Sequence, residues 1–328
     1  MILSWHAPDG EAGHGYATVG KRLYTELKRF GMTMLPADAF GWDALIIVNP
    51  PNATYMLGPN LRPDIVLHAM TETNILPSSW VEILNRVGLV WVPSQFVERI
   101  FRENGVRTPM MRVGYGFEGT PKERISSDHF RVLAWGDNLH SRKNMLLAIK
   151  AFIAADLPDA SLELKLNIGA DLQDMCWNDG VHTYDNIIIR HVTWGRERLT
   201  AWLESGDIGV YLSGGEGYGL MPGEMMKTGL PMISVRHTGL EEYLTPDIIL
   251  EVPSTEQSSF FFNKRFHVTE ATEFKPDFDA LVEQLRYAAA HRKQIAHLGM
   301  RGACHLESYT WDNVGKKAYD FLVHHYRT

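Results

Sequence analysis

Short apolar runs alternate with segments of helical periodicity along most of this chain, and this alternation constrains the fold more than any other feature. Strands buried on both faces have continuous apolar sequences, and they occur in parallel sheets that helices cover on both sides. The runs fall into two sets, which predict strands at 2–6, 44–48, 65–68, 89–92 and 110–113, and then at 131–135, 162–168, 187–191, 208–212, 232–235 and 248–252. The sequence therefore predicts an α/β protein with two parallel sheets.

A linker separates the two sets of strands. Residues 114–128 show little apolar periodicity and contain Gly116, Gly119 and Pro121, which favours irregular structure. We place the boundary near residue 125, with an N-terminal domain at 1–125 and a second domain at 126–308. Thr310 can cap a last amphipathic helix, so residues 309–328 form a third unit. Two domains of this size create a cleft between them.

The composition excludes several classes of protein. The formal net charge is −7, so binding to nucleic acid or to an anionic membrane would need a local basic patch. The two cysteines, Cys176 and Cys304, provide neither a disulfide framework nor a metal cluster. No apolar run reaches the roughly 18 residues of a membrane span, and no secretory signal opens the chain. These features predict a cytoplasmic protein without a transmembrane segment.

A glycine-rich loop at 213–219 follows a predicted strand and leads into a helix expected to begin near Pro222. Glycine allows positive φ and close approach of the backbone to a ligand, and the N-terminus of a helix attracts phosphate. Glu224, expected in the first helical turn, could accept hydrogen bonds from ribose hydroxyls, and Glu216 could reach a sugar hydroxyl. Alternatively, Glu224 only complements the helix dipole and Glu216 is a solvated loop residue.

Two further loops offer candidate binding residues. Arg142 and Lys143 follow the first strand of the second domain and could neutralise a departing diphosphate without a metal, or they are solvated charges on a helix. Gly13 and Gly15, followed by Tyr16, come after the first strand of the chain. This pair lacks the full dinucleotide fingerprint, so NAD binding is poorly supported and a plain tight turn is the alternative.

Three signals for metal or nucleotide binding are discounted. Asp277 and Asp279 fit the D-x-D of metal-dependent transferases, but they follow Pro276 and open a predicted helix, so Asp277 is interpreted as a helix cap. Residues 114–119 fit G-x-G-x-x-G by letter without a following helix, which indicates a loop. The histidines show no zinc spacing. The sequence therefore predicts no metal site.

Two surface features leave alternatives open. Lys21, Arg22, Lys28 and Arg29 lie along the first predicted helix, where they could contact anionic lipid or polyphosphate or form a solvated face. Residues 260–267 combine four phenylalanines with two basic residues in a predicted loop. This segment could be an acceptor platform, a dimer contact, a stacking patch for a modified nucleobase in DNA, or a buried apolar excursion.

The chain resembles retaining glycosyltransferase family 4. Glu216 and Glu224 are separated by seven residues and are followed by Gly229 and Pro231 before a strand, which matches the hallmark of that family. The basic pair 142–143, the segments 13–16, 70–80 and 90–106, and the ending from Trp311 are similar too, so the resemblance spans nearly the whole chain. It implies the GT-B fold, in which two Rossmann-like domains face each other across a cleft and the last helix crosses back to the first domain.

The resemblance also implies roles for individual residues. Glu224 would hold the ribose, Arg142 and Lys143 the diphosphate, and Glu216 the transferred sugar. The remaining implied site residues are the backbone of Gly219, Leu220 and Met221 at the sugar, His68 at the reacting face, and Gly13, Gly15 and Tyr16 at the donor. Met225 and Lys227 depart from the family, which has small residues there.

The implied activity is transfer of a hexosyl or pentosyl group from a nucleotide-diphosphate-sugar to an acceptor hydroxyl. Front-face attack with retention would require no general base, cofactor or metal. A glycan, a lipid-linked compound, a small molecule or a modified nucleobase could be the acceptor, and the protein could contact a membrane peripherally. The alternatives are a nucleotide-sugar hydrolase or epimerase of the same fold, a transferase acting on modified DNA, and a non-catalytic ligand-binding protein. Both Glu216 and Lys143 are expected on exposed loops, so that alanine substitution would abolish transfer without unfolding.

Overall fold

The computed structural model describes residues 1–8, 15–36, 41–50, 61–124, 128–137, 139, 141–167 and 180–326. Its first sheet is parallel throughout, with the order β2-β1-β3-β4-β5-β6. The strands are β1 Ile2–His6, β2 Thr33–Pro36, β3 Ala44–Val48, β4 Ile65–His68, β5 Leu89–Val92 and β6 Met110–Arg112, and the helices among them are α1 Gly15–Arg29, α2 Ser78–Leu84 and α3 Gln95–Glu103. The central strands β4 and β5 are buried at every residue, as their continuous apolar sequences require.

The second sheet has the order β13-β12-β11-β7-β8-β10-β9, in which the edge strand β9 is antiparallel and the other neighbours are parallel. Its strands are β7 Phe130–Gly136, β8 Ala160–Leu166, β9 Gly180–Tyr184, β10 Ile187–His191, β11 Ile208–Tyr211, β12 Met232–Ser234 and β13 Leu250–Glu251. The helices of this half are α4 Met145–Ala155, α5 Arg196–Glu204, α6 Leu220–Lys227, α7 Phe260–Phe266, α8 Phe278–Ala290 and α9 Arg292–His305.

The order of the second sheet contains a topological switch point beside its first strand. From β7 the chain builds β8 and β10 on one side, and it then returns to place β11 and β12 on the other side. Loops that follow β7 and β11 therefore leave the same edge of the sheet in opposite directions. In open α/β sheets this crevice is the usual position of a ligand.

The predicted α/β class with two parallel sheets is confirmed, and each of the eleven predicted strands overlaps an observed strand. The strands that sequence analysis missed are β2, β9 and the antiparallel pair β14 Ser254–Ser258 and β15 Thr272–Pro276. These strands lie at sheet edges or outside the large sheets, and most of their residues are partly or fully exposed. The predicted domain boundary near residue 125 and Cys176 both lie outside the described residues, and Cys304 is a free, exposed thiol.

The prediction of a loop at 260–267 is wrong, because Phe260–Phe266 forms helix α7 between β14 and β15. Phe262 and Phe266 pack edge-on against Trp80 of the first half, with ring centroids 6.4 and 5.1 Å apart. The backbone N–H of Thr272 donates to Asn74 Oδ1 at 2.8 Å. The aromatic residues of this segment therefore serve partly to hold the second half of the chain against the first.

Helix α10, Trp311–Tyr326, packs against α1 and confirms the predicted return of the last helix to the first domain. Arg29 forms an ion pair with Asp312, and the rings of Phe30 and Tyr319 lie 5.7 Å apart. Arg29, one of the basic residues of the first helix, therefore contributes to this contact.

Two of the discounted motifs are structural, as predicted. Asp277 Oδ1 accepts a hydrogen bond from the N–H of Ala280 at 2.8 Å and so caps helix α8, and residues 114–119 are a loop. A Cβ on Gly116 would lie 2.2 Å from the backbone nitrogen of Trp311, so this glycine permits close packing of the loop on α10. Among the residues described, no helix combines the length and the apolar character that crossing a bilayer requires.

The contact between α1 and α10 can be tested at Gly315, where a Cβ would lie 2.3 Å from Glu26 Cβ. We expect Gly315→Ala to lower the free energy of unfolding by about 1–3 kcal/mol, because the helices must move apart to admit the methyl group. Gly302→Ala in α9 is the matched control, since its Cβ would meet only the flexible end of Met226. Urea denaturation measures both variants, and a Gly315→Ala protein as stable as the wild type would contradict the packing.

Candidate functional site

The loops after β7 and β11 are joined by hydrogen bonds to their backbone carbonyls. Asn144, in the left-handed region at φ 54°, donates through Nδ2 to the carbonyls of Arg142 and Leu212 at 3.1 and 2.8 Å. The N–H of Gly214 donates to the same Arg142 carbonyl at 2.7 Å. Asparagine tolerates this conformation better than most residues, so Asn144 is suited to join the two loops at the switch point.

Glu216 lies at the centre of a buried charge cluster. Its Oε1 accepts hydrogen bonds from Arg142 Nη1 at 3.0 Å, from the hydroxyls of Tyr211 and Ser213 at 2.7 and 2.5 Å, and from Lys143 Nζ. Glu216 is 6% exposed and Lys143 is 5% exposed. The structure thus brings three predicted site residues into direct contact, but the expectation that Glu216 and Lys143 are exposed is wrong.

The cluster keeps the carboxylate of Glu216 ionised. Burial alone would favour its protonated form, but the charges of Arg142 and Lys143 outweigh burial and lower the pKa of Glu216 to about 2. Burial likewise opposes the charge of Arg142, whereas Glu216 and Glu72 raise the pKa of Arg142 above its ordinary value. Burial, followed by the charge of Glu216, raises the pKa of Tyr211, so this hydroxyl remains a hydrogen-bond donor.

The glycines of the 213–219 loop allow close approach of the first half of the chain. A Cβ on Gly215 would lie 2.2 Å from the carbonyl oxygen of Glu72, and a Cβ on Gly217 would lie 2.8 Å from Met70 Sδ. The Glu72 carboxylate also forms an ion pair with Arg142. Sequence analysis attributed these glycines to the approach of a ligand and to positive φ; in this loop only Gly219 has positive φ, at 92°.

Helix α6 begins two residues earlier than expected, with Gly219 as its N-cap residue and Leu220 and Met221 as its first helical residues. Glu224 therefore lies in the second turn, not in the first, and it is 4% exposed. Its Oε1 accepts a hydrogen bond from Arg196 Nη2 at 2.8 Å. Burial raises the pKa of Glu224, and the charge and hydrogen bond of Arg196 partly offset this effect.

Arg196 connects Glu224 to the other half of the chain. Its Nε lies 2.7 Å from Glu118 Oε2 in the linker, and Glu118 forms a second ion pair with Arg22 of α1. Sequence reasoning missed Arg196, because a single basic residue at the start of a helix matches no motif. Ser213 and Tyr211 were missed as well, although both lie within five residues of Glu216 along the chain.

Lys227, one of the departures from the family pattern, has a structural explanation. Its Nζ donates to the carbonyls of Leu306 and Glu307 at 2.6 and 3.1 Å, just beyond the C-terminus of α9. A cation in this position satisfies carbonyl groups that lack partners within the helix. Met225, the second departure, is fully buried.

The remaining predicted residues lie in the first half. His68 ends β4 and is fully buried, with its ring stacked on Tyr115 at 5.7 Å and edge-on to Tyr16 at 6.1 Å. Burial lowers the pKa of His68 to about 4, and neither ring nitrogen has a hydrogen-bond partner within the described ranges. The hydroxyl of Tyr16 accepts from the N–H of Met70 at 3.2 Å. Gly15 begins α1 and is exposed, and Gly13 lies outside the described residues.

Tyr16 and His68 are linked to the glycine-rich loop rather than to the charge cluster directly. Met70, which hydrogen-bonds Tyr16, faces Gly217, and Tyr115 lies 4.7 Å from Tyr218 between ring centroids. In the part of the chain that the structure describes, no three His, Cys, Asp or Glu side chains are placed so that they could hold a metal ion together.

Comparison with protein-family models gives no match, and comparison with curated protein sequences gives none either. Solved structures do match. Sucrose-phosphate synthase from Thermosynechococcus elongatus superposes with a TM-score of 0.76 at 14% identity, covering 99% of each chain. Anabaena HepE in complex with UDP and glucose gives 0.69 at 12% identity, covering 98% of this chain and 99% of HepE. A trehalose-phosphate synthase from Burkholderia xenovorans gives 0.60 at 12% identity, covering 87% of this chain and 72% of that one. These similarities establish the fold, and the chain has the GT-B fold.

The pKa of Glu216 predicts how stability depends on pH. Because this pKa is about 2 in the folded protein and about 4.5 in the unfolded chain, the stabilisation is fully present above about pH 4.5 and is lost as pH falls towards 2. At pH 7 we expect Glu216→Gln to be less stable than the wild type by about 3 kcal/mol, since Lys143 loses its buried partner.

Urea denaturation at pH 7, 5 and 3 measures this difference, which should shrink at the lowest pH. Glu283→Gln, at an exposed position of α8, is the control and should differ little from the wild type at every pH. If Glu216→Gln lowers the free energy of unfolding by the same amount at pH 7 and at pH 3, the assigned ionisation of Glu216 is contradicted.

Proposed function

We propose that this protein is a glycosyltransferase that moves a hexosyl or pentosyl group from a nucleotide-diphosphate-sugar to an acceptor hydroxyl. The observation that carries the proposal is the ion-pair cluster of Arg142, Lys143 and Glu216 at the switch point of the second sheet, which contacts Glu72 of the first half. Structures with the same fold include HepE in complex with UDP-glucose and an O-GlcNAc transferase in complex with UDP and GlcNAc, which supports a nucleotide-sugar as the donor.

The two cations are suited to a departing diphosphate. Arg142 presents a planar set of donors and Lys143 a compact charge, and both lie at the crevice where a ligand binds in such sheets. In the closed arrangement the anionic partners of Arg142 are Glu216 and Glu72. Since Glu72 belongs to the first half, a bound diphosphate would replace its carboxylate on Arg142 when the cleft opens.

The proposed reaction is a substitution on one face of the sugar. The bond between the anomeric carbon and the donor phosphate oxygen breaks while the acceptor oxygen bonds to the same carbon from the same face. The acceptor proton passes to an oxygen of the leaving diphosphate, so no general base is needed. Arg142 and Lys143 stabilise the charge that develops on the phosphate. Neither step requires a metal ion.

The carboxylates and His68 would orient the substrates. Glu216, ionised and held by Ser213 and Tyr211, would accept hydrogen bonds from the transferred sugar and stabilise its positive charge. Glu224 would accept from the ribose hydroxyls, with Arg196 favouring its ionised form. His68, neutral at physiological pH, can both donate and accept a hydrogen bond at the reacting face.

Removing the charge of Lys143 tests the proposal directly. We expect Lys143→Met to reduce nucleotide release from a panel of UDP-, GDP- and ADP-sugars by about 100-fold or more, because a donor to the leaving group is lost. Lys150→Met removes an exposed charge from the neighbouring helix α4 and should retain wild-type release. Adding EDTA should not change nucleotide release by the wild type or by either variant.

The same assay separates the alternatives. Release that needs no acceptor and reaches its full rate in water would indicate a hydrolase. If the wild type binds the donors but releases no nucleotide, with or without cell-extract acceptors, the protein is a binding protein. Normal release by a folded Lys143→Met variant, with circular dichroism and thermal denaturation as controls, would reject the role of the cluster.

Front-face attack predicts retention at the anomeric carbon. Proton NMR of the product formed from an α-linked nucleotide-sugar should show an α-glycoside, with the small anomeric coupling of a gluco-configured sugar. For donor cleaved in water, spectra must be recorded before mutarotation. An initial β product would show inversion and reject the mechanism.

A further inference from the structure

Lys165 is a buried cation at the carboxyl end of β8, and it is 3% exposed. In the sheet it is in register with Trp135 of β7. Its Nζ lies 5.2 Å from the ring centroid of Trp135 and 5.9 Å from that of Trp194, and it donates one hydrogen bond to Asn167 Oδ1 at 2.7 Å. Sequence analysis assigned Lys165 no role.

The described surroundings of Lys165 satisfy it only in part. An ammonium group has three N–H donors, one of which is used, and among the described residues no carboxylate oxygen lies within 4.0 Å of Nζ. Burial lowers its pKa to about 8, while the charges of Asp137 and Glu224 raise it, so the charge persists at neutral pH. An incompletely paired buried charge is costly, and an additional acceptor would offset that cost.

A second unused donor lies beside it. Trp194 is 7% exposed, and its Nε1 has no hydrogen-bond partner within the described part of the chain. Trp194 follows β10 and precedes the start of α5, where Arg196 binds Glu224. Lys165 and Trp194 together therefore offer more N–H donors than the described residues around them accept, on the side of β7 opposite β11.

The order of strands places Lys165 and Trp194 at the same edge of the sheet as the charge cluster. Across the edge of the sheet, Glu216 follows β11, Arg142 and Lys143 follow β7, Lys165 is the last residue but one of β8, and Trp194 follows β10. Neighbouring strands are about 4.8 Å apart, so three steps span about 14 Å, which suits a nucleotide-sugar. With the sugar at β11 and the diphosphate at β7, the nucleoside reaches β8 and β10.

We propose that Lys165 and Trp194 bind the base of the donor nucleoside and select one that presents a carbonyl oxygen, such as uracil or guanine, over adenine. This inference rests on the proposed function, because it takes the ligand to be a nucleotide. A carbonyl oxygen has two lone pairs and can accept from both N–H groups at once, whereas the exocyclic amino group of adenine donates and each of its ring nitrogens has a single lone pair.

Titration calorimetry with UDP, GDP, ADP and inorganic pyrophosphate tests the assignment. We expect the wild type to bind UDP or GDP at least about 10-fold more tightly than ADP. The carbonyl of uracil or guanine accepts a hydrogen bond from the charged Lys165, and ADP lacks this carbonyl. Lys165→Met should lose that preference and bind the favoured nucleotide about 10-fold more weakly. Its affinity for pyrophosphate should equal that of the wild type, since the diphosphate position is intact.

Two further variants keep the test decisive. Lys150→Met, which removes an exposed charge from the same domain, should bind all four ligands as the wild type does. Trp194→Phe keeps an aromatic ring, removes Nε1 and should weaken the favoured nucleotide in the same direction. It also tests the site if Lys165→Met does not fold.

The other outcomes contradict either the base subsite or the proposed function. Equal nucleotide affinity in the wild type and both site variants, or a wild-type preference for ADP, overturns the base subsite and leaves the proposed function intact. A Lys165→Met variant that loses pyrophosphate as strongly as nucleotide shows that Lys165 acts through its charge alone, which also overturns the subsite. A wild type that binds neither nucleotides nor pyrophosphate overturns the proposed function itself.

Discussion

The pairing of the buried Lys143 and Glu216 with the half-buried Arg142 is the interaction on which the site depends. Removing ionised side chains from water costs several kcal/mol for each ion, and only close pairing and further hydrogen bonds repay that cost. Tyr211 and Ser213 supply those hydrogen bonds. Because the cations follow β7 and the carboxylate follows β11, the pairing is formed only when these two strands are neighbours at the switch point. The charge cluster can therefore form only in a sheet with this order of strands.

The two glutamates of the motif have opposite environments although they lie on one loop and helix. Burial opposes the charge of both. Among the described residues, Glu216 pairs with two cations whereas Glu224 pairs with Arg196 only, and Arg196 also pairs with Glu118. The pKa of Glu216 is consequently lowered and that of Glu224 raised. Carboxylates whose pKa values are separated in this way are suited to different tasks. In the proposed function Glu216 would be a permanent anion near the transferred sugar, and Glu224, held ionised in part by Arg196, would contact the ribose.

Sequence analysis predicted the sheets well because buried strands carry a strong local signal. The buried runs at β4 and β11 required no tertiary information, and the spacing of Glu216 and Glu224 marked the loop that contains the cluster. Contacts between residues distant in sequence could not be predicted in this way. Glu72 joins Arg142 across the cleft, and Arg196 meets Glu224 from another helix.

The two clear errors have the same physical origin. Helix α7 was predicted as a loop, since Phe262 and Phe266 acquire their apolar partner, Trp80, only in the folded chain. Lys143 was expected to be exposed, because nothing local shows that Tyr211 and Glu216 would surround it. In both cases the residue type suggested solvent or irregular structure, and a contact more than 60 residues away in sequence decided otherwise.

The closeness of the two halves limits how a ligand can reach the cluster. Gly215 and Gly217 allow the 70–72 segment to approach so closely that even one added methyl group would collide with it. A sugar diphosphate is far larger than a methyl group, so the proposed binding between these surfaces requires the halves to separate. The ion pair between Glu72 and Arg142 and the packing of α7 on Trp80 both cross this boundary. Separation would break the ion pair, and in the proposed function a bound diphosphate would restore an anionic partner to Arg142. Glu72 thus supplies in this structure the second anion that the proposed donor would supply when bound.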